Sequence, residues 1–373
     1  MLVLSLSFSF FTGCGDSTKN DDEFVGHVHN FVKKVVEDKF LASTATCTER
    51  ATYFYSCDCG EYGWEWFEYG DYAHRYKDNK CKFCGDKKVE YVYFGSYPQS
   101  RVLNETITTA LLNIAGNPMN DLTNWISYGY FINGIKSDAC MFYVDIDFNG
   151  DKYRGVYINK YRPYLSNYAS VDWSTYQAAQ GYLNKTVYWF EYDPIEWIII
   201  DQNEEEATLL CNAIIDSQEF DFKESDNFSN DYSESLIRTW LNESFYNTAF
   251  NENQKEKIKT TEVDNSPQST GFTSNIYACQ NTFDKVFLLS CSEINLLLTD
   301  KLAQKNVTDY AQSQGSYLDE SGRGFWWLRS PANNKNDLVG TIYPDGKIYF
   351  DYYEDFVVRN YISVVPAIKI KIV

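Results

Sequence analysis

Histidine is scarce in this sequence of 373 residues: it occurs three times, at positions 27, 29 and 74, and not again. The long C-terminal part therefore lacks the commonest general base, which excludes Ser/His/Asp and Cys/His nucleophile arrangements there. Also missing are the G-x-S-x-G, H-E-x-x-H, P-loop and G-x-G-x-x-G motifs. We therefore expect no catalysis by these routes.

Positive charge is also in deficit. Lys and Arg total 33 against 52 Asp and Glu, which gives a formal net charge of -19. Binding to nucleic acid requires neutralisation of phosphates, and electrostatic adhesion to an anionic bilayer requires a basic surface. Neither nucleic acid nor a bare bilayer surface is an expected partner.

Aromatic residues are abundant instead: 31 Tyr, 25 Phe and 9 Trp make up 17% of the chain. Some of these rings are expected at the surface, where Tyr and Trp stack on sugars or fill a partner's pocket. The alternative is an aromatic-rich β-protein whose rings lie in its core, and composition favours neither interpretation.

Long apolar runs are rare, and the one at residues 2–11 is too short to cross the ~30 Å hydrocarbon core as a helix. It has the length of a signal h-region and is followed by Gly13 and Cys14, as in bacterial lipoproteins, although the usual positive n-region is missing. We expect removal of residues 1–13 as a signal peptide and lipidation of Cys14, which would anchor the exported protein to the bacterial cell envelope. Residues 14–26 have the composition of a solvated tether. The alternative is an ordinary secreted protein.

Five of the ten cysteines lie close together in a module expected over residues 27–86. About sixty residues bury too little apolar surface for stability, so a metal or disulfide staple is expected. Two close cysteine pairs, meeting across hairpins, suit one structural zinc in a zinc-ribbon-like module, with one more cysteine and a histidine as possible substitutes. The pairs are Cys57 with Cys59 and Cys81 with Cys84, and the substitutes are Cys47 and His74. Disulfides and free thiols are the alternatives.

His27 and His29 could add to these ligands, although a histidine pair near a flexible N-terminus is more often solvated. The four remaining cysteines are scattered, and several of them adjoin apolar residues, so we expect them to be reduced and to pack as small apolar groups. They are Cys140, Cys211, Cys279 and Cys291.

Local signals after residue 88 predict both strands and helices. Asn104 can cap a helix that Gly116 would end. Asn133-Gly134 and Asn149-Gly150 are dipeptides that accept positive φ and favour β-hairpin turns. Ser290 and Glu293 form a capping-box pattern at the start of a further helix.

The segment Asp145-x-Asp147-x-Asn149-Gly150 also matches the opening of an EF-hand loop. The twelfth position, however, holds Val156 where a bidentate Glu is required. The segment is therefore interpreted as a hairpin.

Apolar spacing over 236–245 predicts a helix with one buried stripe, and residues 186–200 with 207–211 predict two or three strands. A hairpin turn is expected near Gly346, and a terminal strand over 364–372. Strands, helices and then strands, without βαβ units, indicate an α+β class with a largely antiparallel sheet and flanking helices over residues 88–373.

Several segments of this region resemble an uncharacterised family of bacterial exported proteins that contain a domain of unknown function. The resemblance covers roughly residues 88–373 and lies in the segments 93–99, 235–242, 325–331 and 364–370. The cysteine module also looks like one that is often fused to such domains. More loosely, the C-terminal order is similar to C-type-lectin-like domains and sulfatase-modifying factors. That similarity implies loops over a stable scaffold, but the calcium and copper motifs of those groups are missing.

Within this resemblance, the segment 326–329 (Trp-Trp-Leu-Arg) has a structural and a functional interpretation. In the favoured structural one, alternation buries one Trp while Arg329 ties the strand to a loop or a carboxylate. The alternative is a binding site.

Two functions from different classes remain. The favoured one is a non-catalytic cell-surface lipoprotein that binds a glycan or a protein, and the sequence indicates neither the ligand-binding residues nor any catalytic ones. The alternative is an extracellular enzyme that acts on carbohydrate or cell wall with two facing carboxylates. No organic cofactor is indicated.

Overall fold

A computed structural model of the protein describes most of the chain, which forms two compact units, Met1–Lys88 and Val89–Val373. The described residues are 29–47, 49–70, 72–77, 80–84, 88–170, 175–222, 228–350 and 356–372. The predicted signal peptide and tether, with Cys14, and His27 lie outside these residues.

The N-terminal unit consists of short strands around a small core. Three strands pair antiparallel in the order β1-β2-β3, and β4 and β5 form a separate hairpin. They are β1 (Leu41–Ser43), β2 (Ala51–Ser56), β3 (Tyr62–Tyr69), β4 (Tyr76–Lys77) and β5 (Lys80–Cys81). In the described part of this unit the buried apolar side chains are Phe40 and Phe67, with the thiols of Cys57 and Cys81. Units with so small a core commonly use additional cross-links for stability.

Strand β3 also places aromatic rings at the surface. Trp64 is 93% exposed and Trp66 is 54% exposed. These rings confirm that not all of the aromatic residues lie in a core.

The C-terminal unit consists mostly of antiparallel strands with few helices, as expected from the sequence. Its first strands are β6 (Tyr91–Arg101), β7 (Ile126–Ser127), β8 (Phe131–Ile132), β9 (Ile135–Lys136), β10 (Met141–Phe148), β11 (Asp151–Ile158), β12 (Thr186–Gln202), β13 (Glu206–Cys211), β14 (Ala213–Ile214) and β15 (Asp216–Ser217). The later strands are β16 (Thr261–Val263), β17 (Thr282–Asp284), β18 (Val286–Phe287), β19 (Asn306–Val307), β20 (Trp326–Pro331), β21 (Val339–Ile342), β22 (Ile348–Tyr349), β23 (Ser363–Val364) and β24 (Ala367–Lys371).

Short helices connect these strands. They are α1 (Glu105–Ala115), α2 (Tyr176–Ala179), α3 (Leu236–Trp240), α4 (Tyr246–Ala249), α5 (Glu252–Lys257), α6 (Cys291–Leu297), α7 (Asp300–Ala303) and α8 (Asp309–Ser313). None of the helices in the described ranges combines the length and the apolar character that a membrane crossing requires.

Strand β12 joins the two halves of the main sheet, whose order is β18-β24-β13-β12-β11-β10-β7 with β6 also beside β12. It runs for 17 residues, pairing first with β11 and finally with β13, while β6 pairs along its middle. The sequence predicts two or three strands over 186–200 and 207–211, and the structure has two, β12 and β13. Irregular pairing on either side of Pro194 interrupts the register of β12 with β6 without ending the strand. Phe190, Ile195 and Trp197 are fully buried along it.

A second sheet, in the order β15-β23-β20-β21-β22, contains the Trp-Trp-Leu-Arg-Ser-Pro segment. The expectation of one buried Trp is wrong: Trp326 and Trp327 are both fully buried, because every residue of β20 is enclosed on both faces of the strand. The structural role of Arg329 is confirmed. Its Nη1 donates to the Leu288 carbonyl and to Glu293 Oε2, each at 2.6 Å.

Most local signals are confirmed. The side chain of Asn104 accepts hydrogen bonds from the first turn of α1, and Gly116 ends that helix with a φ of 82°. Both Asn-Gly pairs form hairpin turns with positive φ at each residue, so the EF-hand-like segment is the β10–β11 hairpin. Ser290 forms the expected capping box of α6.

The predicted helical stripe over 236–245 is also present, but its path differs. Ile237, Leu241 and Phe245 are fully buried, and they lie four residues apart. Leu241–Phe245 forms a π-helical turn between α3 and α4, so the stripe continues through a wider turn rather than through one α-helix.

Replacement of Arg329 by Met should lower the free energy of unfolding by about 3 kcal/mol, because it leaves the buried Leu288 carbonyl and the Glu293 carboxylate without their donor. Urea denaturation measures this change. Lys371→Met, at the exposed end of β24, removes a cation that forms no salt bridge within the described residues, and it should have little effect. Equal losses in the two variants would contradict the structural role of Arg329.

Candidate metal sites and a tyrosine-lined pocket

The first candidate metal group consists of three cysteines and one histidine. The Sγ atoms of Cys47, Cys81 and Cys84 and a ring nitrogen of His74 all lie within 4.8 Å of one another. The turn after β5 brings Cys84 back beside Cys81, and the Ala73 amide donates to the Thr46 carbonyl (2.8 Å), which brings the chain at Cys47 next to His74. Three thiolates and an imidazole form a complete tetrahedral ligand set for zinc.

The electrostatics of this group favour a thiolate. The backbone amide of Cys84, followed by that of Phe83, donates to the sulfur of Cys81 and lowers the pKa of this thiol to about 6, while its desolvation acts in the opposite direction. His74 Nδ1 lies 3.4 Å from Cys84 Sγ. Amide donors directed at sulfur stabilise the charged form that binds a metal.

A second group contains His29, Cys57 and Cys59, whose ligand atoms also lie within 4.8 Å of one another. The two cysteines lie in the turn between β2 and β3. An antiparallel bridge between Lys33 and Ser56 places the preceding chain beside that turn, and His29 Nδ1 lies 3.1 Å from Cys59 Sγ. This group supplies three ligands, so a metal bound there would have an open position for water or another donor.

The structure therefore divides the four predicted ligands between two groups instead of joining them in one. Each cysteine pair lies at its own hairpin, and each recruits partners from a different part of the chain. Cys47 and His74, expected as substitutes, complete the group of Cys81 and Cys84. His29, expected to be solvated, joins Cys57 and Cys59.

Of the four other cysteines, Cys140, Cys211 and Cys291 are buried and Cys279 is half-buried. Burial raises the pKa of Cys211 and of Cys279 to about 11. These thiols therefore stay protonated and pack as small apolar groups, as the sequence indicates.

The C-terminal unit contains a pocket of about 200 Å³ that the sequence did not reveal. Five tyrosines, one arginine and one aspartate converge on it from strands and helices that are far apart in the chain. The lining residues are Tyr97, Ser127, Tyr128, Tyr130, Tyr143, Arg154, Asp216, Gln218, Trp240, Ser244, Thr248 and Tyr310. Concave sites with a few converging polar groups are typical of ligand binding.

Arg154 provides the positive charge of the pocket and is held rigidly. It lies directly opposite Asp145 in the β10–β11 register, and Nε and Nη2 each donate to that carboxylate at 2.8 Å. Its guanidinium also lies 4.4 Å from the ring centre of Tyr143 and donates to the Tyr310 hydroxyl at 3.4 Å. A fixed guanidinium presents its donors with little loss of conformational entropy when a ligand binds.

Asp216 provides the negative charge and is 2% exposed. It accepts hydrogen bonds from the Tyr97 hydroxyl (2.7 Å), the Ser217 amide (2.6 Å) and the Gln218 side chain (3.1 Å). Burial raises the pKa of Asp216, although these donors oppose the shift. The carboxylate is thus committed to internal partners.

The phenols of the pocket act as neutral hydrogen-bonding groups. Burial raises the pKa of Tyr97, Tyr128 and Tyr130 well above the usual range. The rings of Tyr128 and Tyr130 stack in parallel with their centres 5.2 Å apart, and the Tyr128 and Tyr310 hydroxyl oxygens lie 3.0 Å apart. Aromatic faces and hydroxyl groups therefore line the same cavity.

A larger opening of about 500 Å³ lies between α6, α7 and the turn at Gly346. The described residues that line it include Asp300 and Lys347 but no comparable cluster of buried polar side chains. Its larger volume therefore does not make it the better candidate.

Residues 205–372 match the family model described as a domain of unknown function (DUF6273), so such a domain covers this part of the chain. The match is consistent with the expected uncharacterised family and is shorter than the resemblance over 88–373. It includes Asp216, Trp240 and Tyr310 of the pocket but not Arg154. No curated protein and no solved structure matches the chain.

Asp145→Ala should destabilise the C-terminal unit by about 3 kcal/mol, because it leaves the buried Arg154 guanidinium without its bidentate partner. Thermal or urea unfolding measures the loss. Asp147→Ala is the matched control, since this exposed carboxylate lies on the same strand opposite Lys152. Similar unfolding curves for both variants would argue against a structural role for the Asp145–Arg154 pair.

Proposed function

We propose that the protein is a non-catalytic binding protein, lipid-anchored to the bacterial cell envelope, whose C-terminal unit binds a glycan in the tyrosine-lined pocket. The observation that supports glycan binding is the combination of five tyrosines with a fixed guanidinium in one cavity. Sugar rings present an apolar face for stacking on an aromatic ring and hydroxyl groups for hydrogen bonding. The proposal of a lipid anchor is based only on the sequence of residues 1–14.

The size of the pocket favours one sugar ring over an extended chain. Pockets for drug-sized ligands usually measure about 300–1,000 Å³, and this one measures about 200 Å³. A terminal sugar of a larger glycan, or of a glycosylated protein, would fit this description. The alternative that the ligand is a protein surface without a sugar has no comparable support from the residues that line the pocket.

The chemistry of the pocket favours binding over the alternative of an enzyme with paired carboxylates. Among its lining residues only Asp216 has a carboxylate, and that group already accepts three hydrogen bonds. The phenols have raised pKa values and act as donors rather than as bases. A glycosidase would need two carboxyl groups across the bond to be cleaved.

We also propose that the C-terminal unit is related to C-type-lectin-like folds. It is supported by a largely antiparallel scaffold in which the first and last long strands of the unit, β6 and β24, belong to one sheet through β12 and β13. Loops and short helices around that sheet supply much of the pocket wall.

Tyr143→Ala should weaken glycan binding about tenfold, a loss of about 1.4 kcal/mol, because it removes one aromatic wall of the pocket. The purified full chain is applied to a glycan array and to purified cell-wall polysaccharide, and saturable binding without product release is expected. Tyr168→Ala is the control, since Tyr168 is 56% exposed and does not line the pocket. Release of cleaved product, or equal binding by both variants, would overturn the proposal.

We also propose that zinc occupies the group of Cys47, His74, Cys81 and Cys84 and stabilises the N-terminal unit. The support is the complete Cys₃His ligand set beside a small core. Zinc bound there would replace apolar contacts that about sixty residues cannot supply.

His74→Ala should remove about one zinc ion per chain and expose the N-terminal unit to proteolysis, since three ligands bind a structural zinc poorly. Elemental analysis of the dialysed full chain measures the metal. His29→Ala, which affects only the second group, should leave that ion in place. Full zinc content in His74→Ala would refute this assignment.

A further inference from the structure

Lys305 is a buried lysine beside a carboxamide. The residue is 1% exposed, and its Nζ donates to Asn212 Oδ1 at 3.3 Å. Within the part of the chain that the structure describes, it forms no salt bridge. A charged ammonium without a carboxylate partner is costly in the interior, so burial favours the neutral amine form of this lysine.

The fold places the two side chains next to each other. Strands β14 and β19 pair in parallel, with Ala213 opposite Asn306. Asn212 and Lys305 precede these residues and are therefore neighbours across the two strands. Because parallel strands keep a fixed spacing of about 4.8 Å, the pair is held together without any contribution from a ligand.

Glu196 completes the arrangement. Its Oε1 accepts a hydrogen bond from Asn212 Nδ2 at 2.7 Å, and its Oε2 accepts one from the Tyr93 hydroxyl at 2.7 Å. The Asn212 amide donates to the Glu196 carbonyl at 2.9 Å, which fixes the backbone of both residues. The carboxylate thus lies at the nitrogen of the carboxamide, while the lysine lies at its oxygen.

We propose that Lys305 and Asn212 join in an intramolecular isopeptide bond, with Glu196 as the proton carrier. The lysine nitrogen is the nucleophile, the side-chain carbon of Asn212 is the electrophile, and ammonia is the leaving group. No oxidant, metal or nucleotide is required.

The protons and bonds balance as follows. Glu196 takes a proton from the Lys305 ammonium through the Asn212 carboxamide, which is hydrogen-bonded to both groups, and the free amine forms a bond from Nζ to Cγ of Asn212. The bond from Cγ to Nδ2 breaks as Glu196 returns that proton to the departing nitrogen. The attacking nitrogen gives up one further proton through the same carboxylate, so the departing group leaves as ammonium and a neutral amide remains.

Burial supports the first of these steps. It lowers the pKa of Lys305 to about 8, and the negative charge of Glu196 only partly opposes this shift. At pH 7 roughly one lysine in ten is then a free amine, far more than for an exposed lysine. General acid–base assistance of the kind assigned to Glu196 accelerates such transfers by about 10²–10⁴.

The chain contains a matched pair that should not react. Lys255 Nζ lies 3.1 Å from Asn247 Oδ1 and 3.0 Å from Glu252, so it has the same three residue types. Asn247 is exposed, and Lys255 has a carboxylate partner because it forms a salt bridge with Glu252. The two pairs differ in burial and in the salt bridge of the lysine.

Peptide mapping of the purified full chain tests the proposal directly. After incubation at pH 8 and trypsin digestion, we expect the peptides with Lys305 and Asn212 to be joined, with a mass lower than their sum by one ammonia. Fragmentation of the joined peptides locates the new bond and so distinguishes an isopeptide bond from a succinimide formed at an asparagine. No such link is expected between Lys255 and Asn247.

Variants establish the roles of the residues. Glu196→Gln should slow formation of the link by at least about a hundredfold, and Lys305→Arg should abolish it, whereas Lys255→Arg should leave it unchanged. Recovery of Lys305 and Asn212 in separate, unmodified peptides from the wild-type chain would overturn the proposal. That measurement needs no variant, so it holds even if a substitution prevents folding.

Discussion

The pairing of β12 is the constraint on which the C-terminal unit depends. This one strand pairs with β11, β6 and β13, so it connects the two halves of the main sheet. It also supplies Tyr192, whose hydroxyl donates to Asp145 at 2.9 Å, and Glu196, which holds Asn212. The Arg154 partner at the pocket and the polar network around Lys305 therefore both depend on the course of a single strand.

The two units differ in how their described residues are packed. The C-terminal unit buries whole tryptophans, such as Trp197 and Trp326, in large sheets. The N-terminal unit has few buried side chains in its described part, but it concentrates thiols and imidazoles in two small groups. Apolar burial scales with size, whereas a metal centre supplies its binding energy to a unit of any size.

Signals contained within a few residues predicted the structure well, and relations between distant residues did not. The caps at Asn104 and Gly116 and the turn at Asn149-Gly150 act on their own backbone, so sequence alone was sufficient. Cysteine spacing showed which thiols are close in the chain but not which hairpins meet. The pocket residues extend from Tyr97 to Tyr310 without a motif, and the only signal in the sequence was an excess of tyrosine.

The turn at Asn149-Gly150 has an effect beyond its own hairpin. Successive strand residues point to opposite faces, so a deletion or insertion of one residue there would turn the Arg154 side chain away from Asp145 and from the cavity. The loop length is thus constrained because it determines on which face of β11 the Arg154 side chain lies. No loop atom itself lines the tyrosine-lined pocket. Length changes in the loop should accordingly be tolerated far less well than substitutions along the outer face of β10.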